Sequence, residues 1–139
     1  MKNMFKVKVL TIGKCKEKWL SDALFEYEKR LQGKMAFEWR LAKDDAQLSS
    51  WAEQEPYIAL DPKGELLASE ALAGKMVKWG LRLTFVIGGA EGLPTQVLKQ
   101  AQFRWSLSPL TFTHQITRLI LVEQLYRSME IERGSQYHK

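Results

Sequence analysis

The stretch Thr84–Gln115 constrains the fold more than any other part of this chain. An apolar run, Leu83 to Ile87, stops at Gly88-Gly89-Ala90-Glu91-Gly92, and Pro94 follows at a first helical position. A second run, Phe103 to Leu107, breaks into Ser108-Pro109-Leu110-Thr111. Two strand ends that each feed a loop and then a helix are the places where open α/β sheets bind ligands.

The glycine loop excludes some ligands. Its spacing is not GxGxxG, and no Lys-Ser/Thr follows the last glycine as a P-loop requires. Glu91 is expected to set a carboxylate where a pyrophosphate would otherwise meet backbone N–H groups. A ligand without phosphates and partly cationic suits the loop better, and S-adenosylmethionine is such a molecule. A tight strand-to-helix turn that holds nothing is the plainer alternative.

The rest of the chain alternates strand and helix. Phe5, Val7 and Val9 alternate with Lys6 and Lys8 in a first strand that Gly13 ends. Trp19 to Leu31 carries a helical stripe at positions 20, 24, 27 and 31. Phe37, Trp39 and Leu41 mark a second strand, and 43–55 holds a short helix around Leu48 and Trp51. Tyr57 to Leu60 is a third strand, which the Asp61-Pro62-Lys63-Gly64 turn signal is expected to close. Ser69 is expected to cap a helix with Leu72, Met76 and Trp79, ended by Gly80. The run Leu81–Ile87, a helix over Pro94–Gln102 and the run Phe103–Leu107 follow. This pattern predicts an α/β fold, a mainly parallel sheet with helices on both faces. At 139 residues without linker or repeat, the chain reads as a single domain over 1–139.

The last helix, about Gln115 to Ile131, is apolar on more than one stripe: Ile116, Leu119, Ile120, Leu121, Val122, Leu125, Tyr126 and Met129. A helix of this kind is buried on more than one side. The second side is expected to be another subunit; a monomer with a fully internal last helix is the alternative.

Charge gathers at the two ends. Residues 1–18 carry six Lys against one Glu, and residues 99–139 six Lys or Arg against three Glu, while the middle is net acidic. The net charge is +5. If the fold brings both ends to one face, they form a footprint for a phosphate backbone; a merely solvated basic surface is the alternative. No apolar run approaches the roughly 18 residues a membrane helix needs, and no secretory h-region is present. The lone Cys15 makes no internal disulfide, which fits a reducing cytoplasm. The two histidines, His114 and His138, lie far apart and lack cysteine partners, so no metal site is expected. No GxSxG nucleophile motif occurs either.

Three segments taken together, IGGAEGL (Ile87–Leu93), LSPLTFTHQITRLILVEQLYR (Leu107–Arg127) and the terminal RGSQYHK (Arg133–Lys139), resemble one family. It is the bacterial ribosomal RNA large-subunit methyltransferase H family, SPOUT enzymes that methylate N3 of a pseudouridine in 23S rRNA. The resemblance runs from about Phe5 to Lys139. It implies a trefoil-knotted C-terminal half, which no pattern argument would propose because knots are nearly absent from folds. It also implies a homodimer, S-adenosylmethionine as cofactor, and the ribosome or its 23S rRNA as partner. Matched residue by residue, it puts Leu60, Gly88, Leu107, Ser108, Pro109, Leu110, Thr111 and Phe112 around the cofactor. It puts His114, Arg118, Tyr137 and His138 on the substrate side, with Lys139 as a phosphate contact. The chain departs from the family at Thr113, where proline commonly precedes the histidine, and in a shortened 43–55 segment. A SPOUT enzyme acting on another RNA such as tRNA, and a non-catalytic RNA-binding module, are the alternatives.

Overall fold

Alternating side chains on the first strand set the layers of the molecule. In the computed structural model, which describes residues 4–138, β1 (Phe5–Ile12) directs Val7 and Val9 into one apolar cluster and Leu10 into another on the opposite face. Nine further elements follow: α1 (Lys18–Arg30), β2 (Met35–Ala42), α2 (Asp45–Ala52), β3 (Ile58–Leu66), α3 (Ser69–Trp79), β4 (Arg82–Val86), α4 (Thr95–Gln100), β5 (Phe103–Ser106) and α5 (His114–Arg133). The strands form one sheet in the order β2-β1-β4-β3-β5, and every neighbouring pair is parallel.

Helices cover both faces, as a parallel sheet requires. On one face α1, α3 and α5 pack together over Val7, Val9, Phe85, Trp105, Leu121 and Leu125. On the other, the short α2 and α4 cover Leu10, Tyr57, Ala59, Val86 and Val97. The chain order reverses around β1: β2 pairs on one side of it and β4 on the other. The ends of β3, β4 and β5 therefore gather on one side of this switch point, where a crevice forms.

Two local readings of the sequence are corrected. Asp61-Pro62-Lys63-Gly64 does not close β3; the strand continues to Leu66, and the four residues form a bulge. Pairing with β5 passes from Leu60↔Trp105 to Glu65↔Trp105, so the partner strand resumes where the local turn signal would have ended it. Ser69 does not cap α3 either. Ala68 occupies the cap position, and the Ser69 hydroxyl donates instead to Gln124 Oε1 at 2.9 Å. Gly80 does end the helix, at φ +93°.

α5 is the central buttress. Leu121, Val122 and Leu125 are fully buried, and Leu119, Tyr126 and Met129 pack against the same clusters. Ile116 and Ile120 stay half-exposed on a stripe that belongs to neither cluster. Thr113, at the position where proline was expected, N-caps the helix: its hydroxyl accepts from Ile116 N at 3.2 Å. Gly134 closes the other end in the left-handed region.

Candidate active site

The bulge of β3 and the loops after β4 and β5 enclose an open cleft of about 530 Å³. Leu60 and Asp61 enter it from β3, Ile87, Gly88, Gly89 and Gly92 from the glycine loop, and Leu107, Ser108, Leu110 and Phe112 from the loop after β5.

Each loop is held in shape by its own backbone or by short side chains. Gly92 takes φ +81° and donates its N–H to Gly89 O at 3.0 Å, which closes the turn. A Cβ on Gly88 would stand 2.5 Å from Gly92 C and 2.8 Å from Leu93 N. Gly88 is thus required by the loop's own backbone, before any ligand is considered. Gly89 is less constrained, since an added Cβ would meet Ile12 at an ordinary 3.5 Å. Across the cleft, the Ser106 hydroxyl donates to Ser108 O at 2.9 Å, and the Ser108 hydroxyl accepts from Leu110 N at 3.0 Å. These turns hold the backbone of 106–110 and leave the Leu110 side chain 70% exposed at the cleft mouth.

The carboxylate of the cleft is not the expected one. Glu91 is exposed at the loop tip and does not line the cleft, whereas Asp61 does. Asp61 is 8% exposed and accepts from Lys63 N at 3.0 Å within the bulge. The carboxylate that faces the cleft sits in the bulge of β3.

His114 lines the cleft at the first position of α5, with Thr117 one turn further along. Burial pushes the His114 imidazole below its ordinary value, and the positive charges of Arg118 and Lys16 push the same way. It is therefore neutral at neutral pH. The next residue, Gln115, ties the basic loop after β1 to this point: its Nε2 donates to Lys14 O at 3.1 Å, and its Oε1 accepts from Lys16 N at 3.3 Å. The fold thus brings part of the N-terminal charge beside the cleft.

The other residues that the family resemblance puts on the substrate side lie elsewhere. Arg118 is 1% exposed and does not line the cleft; its guanidinium donates to Ile12 O at 2.9 Å and Gly13 O at 2.8 Å. It fastens the β1–α1 loop to α5. Tyr137 and His138 also stand outside the cleft lining. The Tyr137 hydroxyl donates to Glu123 at 2.9 Å, its ring meets Tyr126 edge-on, and Arg127 lies over it. His138 Nε2 sits 2.9 Å from Glu70, and its Nδ1 is 3.1 Å from Arg127. Burial, with help from Tyr27 and Glu123, pushes the Tyr137 phenol up, so it remains a donor. Lys139 lies outside the described residues. Of the residues matched to the cofactor, Leu60, Gly88, Leu107, Ser108, Leu110 and Phe112 line the cleft, while Pro109 and Thr111 are exposed in the same loop.

Sequence reasoning missed Asp61, Pro62, Trp105 and Thr117 as cleft residues. Asp61 was hidden by a turn reading, although a carboxylate at the end of an apolar run was itself a signal. Thr117 follows from helical phase, three residues after His114. Trp105 reads as core, and it is core; its indole N–H finds no acceptor among the described residues. No group of three metal-ligating side chains occurs among the described residues, and no helix there is long and apolar enough to cross a membrane.

The family model described as "Predicted SPOUT methyltransferase" matches residues 5–138. A relative from Protochlamydia amoebophila, "Ribosomal RNA large subunit methyltransferase H", is 57% identical over 98% of this chain and 100% of its own length. A protein of the same name from a Synechococcus strain is 41% identical over 99% of each chain. Among solved structures, a probable methylase family protein from Haemophilus influenzae superposes with a TM-score of 0.59 at 9% identity, over 99% of this chain and 71% of that one. The SpoU methyltransferase AviRb from Streptomyces viridochromogenes, in complex with AdoMet, gives 0.52 at 8% identity over 98% and 60%. These likenesses speak to the fold, and the whole-length identities speak to the family. The chain belongs to the ribosomal RNA large subunit methyltransferase H family of the SPOUT methyltransferases.

Proposed function

We propose that this chain transfers a methyl group from S-adenosylmethionine to N3 of a pseudouridine in the 23S rRNA of the large ribosomal subunit, acting in the cytoplasm. The observation that carries this reading is the cleft itself, with apolar walls, backbone-held loops, one buried carboxylate and a neutral imidazole at the rim. The names of the whole-length relatives point to the same substrate.

The cleft residues fit the cofactor chemically. Leu60, Leu107, Leu110 and Phe112 offer apolar contact, and the backbone of 107–112 offers N–H and C=O groups for an adenine edge. Asp61 meets positive charge, and Gly88 and Gly92 keep the floor free of side chains. S-adenosylmethionine would supply a methyl group on a sulfonium, a reaction that needs in-line alignment and no covalent enzyme intermediate. The target N3 carries a proton at neutral pH and must lose it. His114, kept neutral by burial, can accept that proton or a hydrogen bond from the base. Lys14 and Lys16, held beside it by Gln115, are placed to meet the RNA backbone.

The reading includes a homodimer and the knotted C-terminal half implied by the family. The half-exposed Ile116 and Ile120 on α5, with Phe25 at 70% exposure on α1, support a second copy as a partner. In that dimer Tyr137 and His138 would leave their docked position and serve the neighbouring cleft, with Lys139 on a phosphate. Arg118 would act on the substrate side by holding the β1–α1 loop that carries the lysines.

Mass-spectrometric mapping of methyl groups on rRNA and tRNA, from cells with and without this protein, tests the reading. Loss of a single methyl-pseudouridine from 23S rRNA is the expected result. A changed tRNA position, or no change at all, overturns it.

A further inference from the structure

A second groove runs along the edge strand β5, on the far side of the Asp61–Gly64 bulge from the cleft. It is open, about 860 Å³, and Lys63, Glu65, Lys99, Gln102 and Arg104 furnish its polar walls. The bulge is the wall shared by the two depressions: Asp61 and Pro62 line the cleft, and Lys63 and Gly64 line the groove. Its shape is enforced. A Cβ on Gly64 would stand 2.6 Å from Arg104 O and 2.9 Å from Trp105 N, so only glycine lets the bulge press on the edge strand. Bulges beside functional sites commonly re-aim a side chain, and here the re-aimed side chain is Lys63.

The charge of the groove is unbalanced. Lys63, Lys99 and Arg104 are all exposed, and none takes part in an ion pair among the described residues. Some helix-borne cations elsewhere have near partners, as in Lys18–Asp22, Arg30–Glu26 and Arg127–Glu123. Three unpaired cations against the single carboxylate of Glu65 repel one another in a concave surface, and an anionic chain laid between them relieves that repulsion. None of the three was part of the charge concentrated in residues 1–18, and two of them lie at the start of the basic C-terminal segment.

We infer that this groove is a phosphate track, which holds the RNA strand flanking the target nucleotide while the nucleotide itself enters the cleft. The inference rests on the RNA methyltransferase reading and adds to it the path of the strand, past β5 and over the bulge. Charged side chains also keep neighbours off a bare edge strand, and that role alone would require no RNA.

The full-length chain with Lys63→Gln, Lys99→Gln and Arg104→Gln separates the two roles. Binding is measured across a salt series to unmodified 23S rRNA and to a labelled 20-mer oligouridylate. Calorimetry with S-adenosylhomocysteine and a thermal melt accompany it. The slope of log K against log salt should fall by about 2 on the 20-mer, at roughly 0.7 for each lost single-strand contact. Cofactor affinity should stay unchanged, and Lys63→Arg with Lys99→Arg should keep the full slope. Each single Gln variant should lose about a third of the effect, which covers the event that the triple variant folds poorly. An unchanged slope with a steep wild type overturns the track and leaves the methyltransferase reading intact. Self-association of the variant with an unchanged slope also overturns it and assigns the charges to edge protection. A wild type that neither binds nor methylates rRNA sinks the proposed function itself.

Discussion

The two ends of α5 are built on different principles. At its start, the cleft is held by close backbone packing and by a buried guanidinium. Gly88 rests against the Gly92 backbone, and Arg118 is buried under two carbonyls. At its end, Tyr137 and His138 are held by side-chain contacts alone, to Glu123, Arg127 and the 67%-exposed Glu70. The His138–Glu70 pair, open to solvent on the Glu70 side, contributes little to stability. A cofactor site benefits from being preformed, because ordering it on binding would cost affinity. The proposed substrate role of the tail would benefit from the opposite, a docked position that is easily left.

The largest effect is expected where the backbone is the constraint. Gly88→Val forces a β-branched side chain into the Gly92–Leu93 backbone, so calorimetry should detect no S-adenosylmethionine binding and methylation should vanish. Overpacking of this kind costs about 1–3 kcal/mol in stability, visible as a lowered melting temperature. Gly89→Ala, next to it, should bind within a few-fold of wild type. Equal losses in both variants would show that the loop needs glycines for the ligand's sake and not for its own turn.

Truncation after Gln136 should abolish methylation yet lower the melting temperature by no more than about 3 °C, because only side-chain contacts are lost. Mixing this chain with Gly88→Val is the sharper test. If each cleft takes the tail of the other subunit, a mixed dimer has one intact site, and activity returns toward about half per mixed dimer. With mixed dimers verified by native mass spectrometry, an absence of rescue would tie each tail to its own subunit and remove the contrast between the two ends.

A smaller and pH-dependent effect is expected at His114. Its imidazole titrates below the ordinary 6.5 because burial disfavours the cation. The acid limb of kcat/KM should therefore fall below pH 6.5. His114→Gln should cost on the order of 100-fold in rate and remove that limb. The folded chain is penalised as pH falls through the same window, since the unfolded state takes up the proton first. A variant that keeps the limb would move the proton acceptor elsewhere.

The smallest effect concerns the helix end that anchors the tail. The Arg133 guanidinium, Ser135 and Lys34 hold the Glu130 carboxyl down at about 2, against the net opposing effect of burial. A depressed carboxyl stabilises the fold above its unfolded value near 4.5, and that contribution disappears as pH falls toward 2. Glu130→Gln should lower the melting temperature by about 4 °C at pH 7 and by progressively less through that window. A constant difference down to pH 2 would mean that shape, and not charge, holds the α5 terminus.

Much of this architecture was legible in the residues. Alternation at Phe5–Val9, the stripe of α1 and the glycine stops at 13 and 80 depend on local geometry and burial, which periodicity records directly. The two loops that form the cleft were legible too, because glycines and prolines after apolar runs mark strand ends wherever they occur. The Asp-Pro-Lys-Gly segment was not, and for a physical reason. The same residues suit a turn or a bulge, and only the return of β5 alongside Glu65 and Leu66 selects the bulge.

Arg118 shows the limit most plainly. The family resemblance puts it on the substrate side, and its place in the sequence says nothing of the carbonyls of Ile12 and Gly13 that receive it from more than a hundred residues away. The sequence by itself determined the elements, the parallel class and the loops that form the cleft, since these follow from local propensity and from which side chains avoid water. Tertiary structure alone decided that Asp61 and not Glu91 charges the cleft, that Gln115 brings Lys14 and Lys16 beside His114, and that the tail rests on α5. Each of these depends on how the fold packs one segment against another, which local propensity does not record.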